Sequence, residues 1–117
     1  MLSMKQLQRI YDKQRKKYFM DAVPPLRVPP PASELLWNWL PDNSPNLAET
    51  IFDEDGDPQE IRISPVVSYL RQARTTIQHE LIHIRLGPKL NCDSNGRLPA
   101  KWRAEILRLA QLGAIKL

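Results

Sequence analysis

The only two histidines in this chain of 117 residues are His79 and His83, and with Glu80 they form the pattern H-E-x-x-H. On an α-helix, residues four positions apart lie one above the other on the same face, so both imidazoles can bind one Zn²⁺ ion. A glutamate beside such an ion can take a proton from the bound water. The spacing therefore predicts a zinc site with His79 and His83 as ligands and Glu80 as the catalytic base. The alternative is a helix whose two histidines are exposed to solvent and bind no metal ion.

The residues around the motif predict the helix that must carry it. Ser64 is a good N-cap and Pro65 suits a first helical position, so we expect the helix to begin there. Apolar residues then recur at helical spacing from Val66 to Ile84, and Gly87-Pro88 predicts the end. The histidines project from nearly the opposite side to these apolar residues. One face of the helix would thus pack on a core while the other presents the imidazoles.

A catalytic zinc ion usually has three protein ligands and a water, so a third ligand is needed. Glu105 is the leading candidate, because its helical angle places it on the apolar face of the last helix. A carboxylate on such a face needs a partner, which zinc would supply. The alternative for Glu105 is a salt bridge to an arginine such as Arg74 or Arg85.

Two further candidates for the third ligand lie in the segment after the motif helix. Asp93 offers a carboxylate and Cys92 a thiolate, and both groups bind zinc. The alternative for Asp93 is an Asx-turn that caps the loop. The sequence favours Glu105 over Asp93 by a narrow margin and leaves the identity of this ligand open.

The composition limits the classes of protein to which this chain can belong. It is 42% hydrophobic and 26% charged, which is typical of one globular domain, here residues 1–117. No apolar run approaches the roughly 18 residues of a membrane span. The stretch from Met1 to Met20 is charged and lacks the apolar core of a signal peptide. A single cysteine, Cys92, cannot form an internal disulfide, so we expect a cytoplasmic protein without membrane partners.

The net charge of +4 and the isoelectric point near 9.5 indicate a basic protein. Such proteins attract nucleic acid non-specifically. We interpret the basic clusters as solvated helix faces, because a net charge of this size is ordinary for solubility. The alternative is weak, non-specific contact with nucleic acid through the basic helices. The clustered cations are Lys13, Arg15, Lys16, Lys17, Lys101, Arg103 and Arg108.

The remaining pattern predicts a small α+β fold. Residues 3–20 have the apolar stripe of an amphipathic helix. Residues 33–40 fit either a strand or a helical turn. Residues 47–52 and 60–64 fit two strands joined by an acidic, glycine-containing turn, which predicts a small, purely antiparallel sheet or hairpin that leads into the motif helix. Pro99 can open a C-terminal helix.

These elements together resemble the SprT-like zincin domain, which also forms the protease core of the Spartan proteases. The resemblance covers most of the chain, but only H-E-x-x-H is specific to it. The other resembling segments are Lys17-Tyr18-Phe19, Ile61-Arg62-Ile63-Ser64, Arg74-Thr75-Thr76-Ile77 and residues 102–110. Small, stand-alone versions of this domain are carried by phages and bacteria.

The resemblance implies a zinc metallopeptidase that acts on a protein or peptide, with His79 and His83 as ligands and Glu80 as general base. The family normally takes its third ligand from a His-Gly pair just before the last helix. Alignment on Trp102 places Leu98 and Pro99 at that pair, so the usual ligand is absent. Either a carboxylate such as Glu105 or Asp93 substitutes for it, or catalysis has been lost. In the second case the chain is a catalytically impaired zincin-fold module that binds nucleic acid or a protein partner.

Overall fold

The computed structural model describes residues 2–20, 27–88 and 99–115, and they form an α+β fold, as the sequence predicts. A 3₁₀ turn at Ala32–Glu34 precedes the first strand. None of the helices in these three ranges combines the length and the apolar character needed to cross a membrane. The elements in chain order are α1 (Met4–Tyr18), β1 (Leu36–Trp39), β2 (Ala48–Phe52), β3 (Pro58–Ile63), α2 (Leu70–Leu86) and α3 (Ala100–Gln111).

Helix α1 confirms the predicted N-terminal helix. It begins with a capping box, in which Ser3 accepts from the Gln6 amide and the Gln6 side chain accepts from the Ser3 amide. Tyr11 and Arg15 are buried on its inner face. The Tyr11 hydroxyl donates to the Pro30 carbonyl at 2.8 Å, and Arg15 Nε donates to the Pro29 carbonyl at 2.7 Å. These bonds tie the proline-rich segment to the helix.

The three strands form one mixed sheet in the order β1-β3-β2. The predicted hairpin is confirmed, because β2 and β3 are antiparallel. The prediction of a purely antiparallel sheet is wrong, because β1 pairs with β3 in parallel, with Trp37 opposite Ile61. The chain leaves β1, passes to the far edge as β2 and returns as β3 between the two. The connection from β1 to β2 reverses the direction of the chain and the hairpin reverses it again, so β3 runs parallel to β1. Local turn patterns do not reveal this pairing.

Helix α2 begins later than predicted. It starts at Leu70, and neither Ser64 nor Pro65 serves as its cap or first residue. The Ser64 amide donates to the Leu47 carbonyl at 2.8 Å, so Ser64 still extends the hairpin ladder. Its hydroxyl accepts from the Val66 amide at 3.3 Å, which closes a local turn. Buried Val67 then anchors the linker in the core before the helix begins.

The rest of α2 follows the predicted pattern. Ala73, Ile77, Leu81 and Ile84 are buried, whereas Val66 and Leu70, which precede or open the helix, are exposed. The predicted end is confirmed, because the helix stops at Leu86 and Gly87 adopts a positive φ of 91°. Helix α2 contacts α1, β2 and α3, so it is the central element on which the candidate site is built.

Candidate functional site

Helix α2 brings the two histidines together as the spacing predicts. The Nε2 atoms of His79 and His83 lie 3.1 Å apart, and the ring centroids are separated by 4.7 Å. Two nitrogens at about 2.0–2.1 Å from one tetrahedral Zn²⁺ would lie about 3.3–3.4 Å apart. The two ring nitrogens therefore lie at nearly the separation that a shared zinc ion requires, and 3.1 Å is also the length of a hydrogen bond between them.

Trp102 of α3 packs against both imidazoles. Its ring centroid lies 5.0 Å from that of His79 and 4.8 Å from that of His83. Partial burial lowers the pKa of His79, and burial together with the neighbouring His79 lowers the pKa of His83 to about 4. Both rings are consequently neutral at pH 7, which is the form that binds a metal ion.

Glu80 lies in a different environment from the histidines, although it comes between them in the sequence. Its side chain is buried, and burial raises its pKa to about 7. The Thr50 hydroxyl of β2 donates to Glu80 Oε1 at 2.8 Å, which lowers the pKa in part, while the charge of nearby Glu49 raises it. A carboxyl group with a pKa near 7 can accept and return a proton at physiological pH.

A groove of about 360 Å³ lies between the β2 edge and α2. The segment that enters β2, including Leu47 and Ala48, forms one wall. The other wall belongs to α2 and includes His79 and Glu80. Within the described sheet, β2 is an edge strand, so one side of its backbone has no strand partner. The groove therefore places a proton acceptor and a histidine beside an open strand edge.

Glu105 is buried, as its helical angle predicts, but its partners are arginines. Glu105 Oε2 lies 2.8 Å from Nε of Arg85, and both side chains are fully buried. Its other oxygen accepts from Nε of Arg108. Arg85 also donates to the Phe19 carbonyl at 3.1 Å. This arrangement corresponds to the salt-bridge alternative, and Glu105 uses both carboxylate oxygens in it.

The described residues bring the two predicted ligands His79 and His83 together, and Glu80, the predicted catalytic base, lines the same groove as His79. Among residues 2–20, 27–88 and 99–115, no three His, Cys, Asp or Glu side chains are grouped as a metal site would require. The structure thus does not join Glu105 to the histidine pair. Cys92, Asp93 and Leu98 lie outside the described residues.

Two residues of the site were missed by sequence reasoning. Thr50 reaches Glu80 from a strand 30 positions earlier, and a threonine in a strand is too ordinary to signal this contact. Trp102 served to align the last helix with the family, and nothing in the sequence indicated its contact with the histidines. Both contacts depend on how α2 packs against other elements.

No model of a known protein family, no curated protein and no solved structure matches this chain.

Proposed function

We propose that this chain is a SprT-like zincin that hydrolyses peptide bonds with the help of a zinc ion. The observation that carries the proposal is the 3.1 Å separation of the His79 and His83 Nε2 atoms, together with a buried Glu80 that lines the same groove as His79. Convergent imidazoles alone fit a structural site. A carboxyl group with a raised pKa at the groove wall adds a proton acceptor, which a structural site does not need.

The donor set fits zinc. Neutral imidazoles are preferred zinc ligands, and the lowered pKa of both histidines keeps their lone pairs available at neutral pH. Trp102 restricts both rings, so little side-chain entropy remains to be lost on binding. A bound zinc ion would act as a Lewis acid toward water and the scissile carbonyl.

Glu80 is the group that moves the proton in the proposed reaction. With a pKa of about 7, its carboxylate takes a proton from the attacking water and passes it to the leaving amine. The bond from Thr50 fixes Oε1, which leaves Oε2 as the oxygen for proton transfer. Hydrolysis then yields a new carboxylate and a new amine.

The substrate in this proposal is an extended peptide. The open edge of β2 can pair with a peptide backbone by adding it as a further strand. A peptide paired there would run along the groove wall opposite His79 and Glu80. Backbone pairing selects extended chains rather than particular side chains, so unfolded proteins are the expected substrates.

Metal content and the hydrolysis of an unfolded protein test this proposal together. We expect elemental analysis by inductively coupled plasma mass spectrometry to find about one zinc ion per chain. The melting temperature of chelator-treated protein should rise when zinc is added back. Glu80→Gln should retain zinc and lose about 10²- to 10⁴-fold in rate, the contribution of a general base. Replacing either histidine with alanine should remove both zinc and activity. Glu54→Gln, at the exposed hairpin turn, is the matched control and should behave as wild type.

Absence of bound zinc, with no effect of added zinc on melting, would overturn the proposal. So would wild-type rates in Glu80→Gln. Zinc binding without hydrolysis would instead indicate the alternative, a zincin-fold module that has lost catalysis and binds a partner.

The third ligand is tested separately. Asp93→Asn, Cys92→Ser and Glu105→Gln should be compared for zinc affinity, because each removes one candidate donor. The variant that loses zinc while keeping its fold identifies the ligand. Since both oxygens of Glu105 contact arginines, we expect Glu105→Gln to lower stability more than zinc affinity.

A further inference from the structure

Four cationic side chains surround a second concavity, the α1–α2 cleft, which has a volume of about 450 Å³. Arg9, Lys13 and Lys17 come from α1, and Arg74 comes from α2. All four are exposed, and none forms an ion pair with a carboxylate of the described residues. Among those residues, no Asp or Glu lines the cleft. The described residues therefore supply no carboxylate in the cleft to balance its positive charge.

The three cations of α1 form a row. Arg9, Lys13 and Lys17 are four residues apart, and a helix rises about 1.5 Å per residue, so neighbours in the row are about 6 Å apart along the axis. The row is about 12 Å long, which exceeds the size of one phosphate or carboxylate. Like charges at this spacing repel one another, so the row costs stability unless a ligand with several negative groups binds it.

The walls of the cleft add polar and aromatic groups to these cations. Gln14 donates from Nε2 to the Arg74 carbonyl at 3.1 Å, but its buried Oε1 has no partner among the described residues. Such an oxygen can accept a bond from a hydroxyl group of a ligand. Tyr18 also lines the cleft, and Lys17 Nζ lies 5.2 Å from its ring centroid. A ligand that carries hydroxyl groups and a flat ring as well as negative charge would use all of these groups.

We infer that the α1–α2 cleft is a binding site for consecutive phosphate groups of a nucleotide or of a single nucleotide strand. Arg9, Lys13 and Lys17 contact successive phosphates, and Arg74 approaches them from the opposite wall. The volume is within the usual range for a small-molecule site. Because the cations form a cleft between two helices, they suit a thin chain rather than the broad face of a duplex. This site is separate from the histidine groove, although Thr75 borders both.

Binding of three phosphate probes tests this inference and distinguishes the sources of phosphate. The probes are a nucleoside triphosphate, inorganic tripolyphosphate and a labelled single-stranded oligonucleotide, measured by calorimetry or fluorescence anisotropy at several salt concentrations. The cleft variant is Arg9→Gln/Lys13→Gln/Arg74→Gln. We expect it to weaken binding at low salt at least about tenfold, because three phosphate contacts are removed. For the oligonucleotide, the slope of log affinity against log salt should fall by about two.

The matched control is the triple variant Lys16→Gln/Lys101→Gln/Arg103→Gln, which removes three exposed cations outside the cleft. Both triple variants lower the net charge equally and change only exposed side chains, so both should fold, as circular dichroism will show. The control should retain nearly all of the affinity. The side-chain amide signals of Gln14 and Gln78, which line the cleft, should also shift in NMR spectra when the probe is added.

Equal loss of affinity in the two triple variants would overturn the inference, because binding would then follow total charge alone. Failure of all three probes to bind below about 1 mM would do the same. Equally tight binding of a glutamate-rich peptide would show that the cleft recognises any polyanion, and this outcome also contradicts a phosphate site. If the nucleoside triphosphate binds best, the source is a free nucleotide, whereas preference for the oligonucleotide identifies a nucleic-acid strand.

Discussion

Two buried glutamates, Glu80 and Glu105, meet different partners. Glu105 contacts the guanidinium groups of Arg85 and Arg108, so its negative charge is balanced within the protein. Glu80 receives one hydrogen bond from the neutral Thr50 hydroxyl, and burial raises its pKa to about 7. Both side chains lie on α-helices and are almost completely inaccessible to water.

The difference distinguishes a carboxylate that is paired with cations from one that accepts from a neutral hydroxyl. A carboxylate between two arginines holds α2 and α3 together, and both of its oxygens already face a guanidinium group. A carboxyl group that accepts from a neutral hydroxyl at the wall of a groove, with its pKa raised to about 7, can gain or lose a proton near neutral pH. The sequence suggested a functional role for both residues, and the proposed function keeps that role for Glu80 only, because Glu105 is paired with arginines.

The largest effect on stability is expected from Glu105→Ala. This change leaves the fully buried Arg85 without its carboxylate, and breaking a buried ion pair costs about 3–5 kcal/mol. The free energy of unfolding, measured by urea titration of metal-free protein, should fall by that amount. Glu80→Ala is the matched control and should change stability far less, because it removes no charged partner. If Glu105→Ala leaves metal-free stability unchanged but abolishes zinc binding, the contrast between the two glutamates is wrong.

The pH dependence of stability provides a second and smaller effect. A group whose pKa is raised on folding, as Glu80 is from 4.5 to about 7, stabilises the fold below pH 4.5 and loses this contribution as pH rises through 7. His83 acts in the opposite direction, because its pKa is lowered from 6.5 to about 4. Because the two effects oppose each other, the free energy of unfolding of the wild type should change little with pH.

Glu80→Gln removes the titration of Glu80, so the effect of His83 on the pH dependence of stability should no longer be offset. Relative to this variant, metal-free wild type should be more stable at pH 5 than at pH 8, by about 2–3 kcal/mol. Urea unfolding of both proteins at the two pH values measures the difference. A difference that does not change with pH would mean that Glu80 is ionised throughout, like an ordinary solvated carboxylate.

The smallest expected effect concerns Thr50. Thr50→Val keeps the shape of the side chain and removes the donor to Glu80, so the pKa of Glu80 should rise further. The loss of one such bond corresponds to about 1.4 kcal/mol, or about one pKa unit. NMR titration of the labelled Glu80 carboxyl carbon in metal-free protein measures it. Thr50→Ser retains the hydroxyl and should titrate nearly as wild type, and a similar shift in both variants would show that packing, not the hydrogen bond, sets the pKa.

Features that depend on a few neighbouring residues were predictable. The hairpin followed from two apolar strands and an acidic turn, and the end of α2 followed from Gly87. The one-turn separation of His79 and His83 follows from helical geometry wherever the helix packs. The start of α2 was not predictable from Ser64, because that residue had two local roles open to it, as a cap or as part of the strand ladder.

Helical periodicity was enough to place His79 and His83 on one face of α2 and to predict the burial of Glu105. The partners of these side chains came from packing between elements: Thr50 contacts Glu80, Trp102 contacts the imidazoles, and Arg85 and Arg108 contact Glu105. The parallel pairing of β1 with β3 likewise depends on contacts between distant segments. Periodicity fixes the direction in which a side chain points, whereas its surroundings depend on packing between segments far apart in the chain.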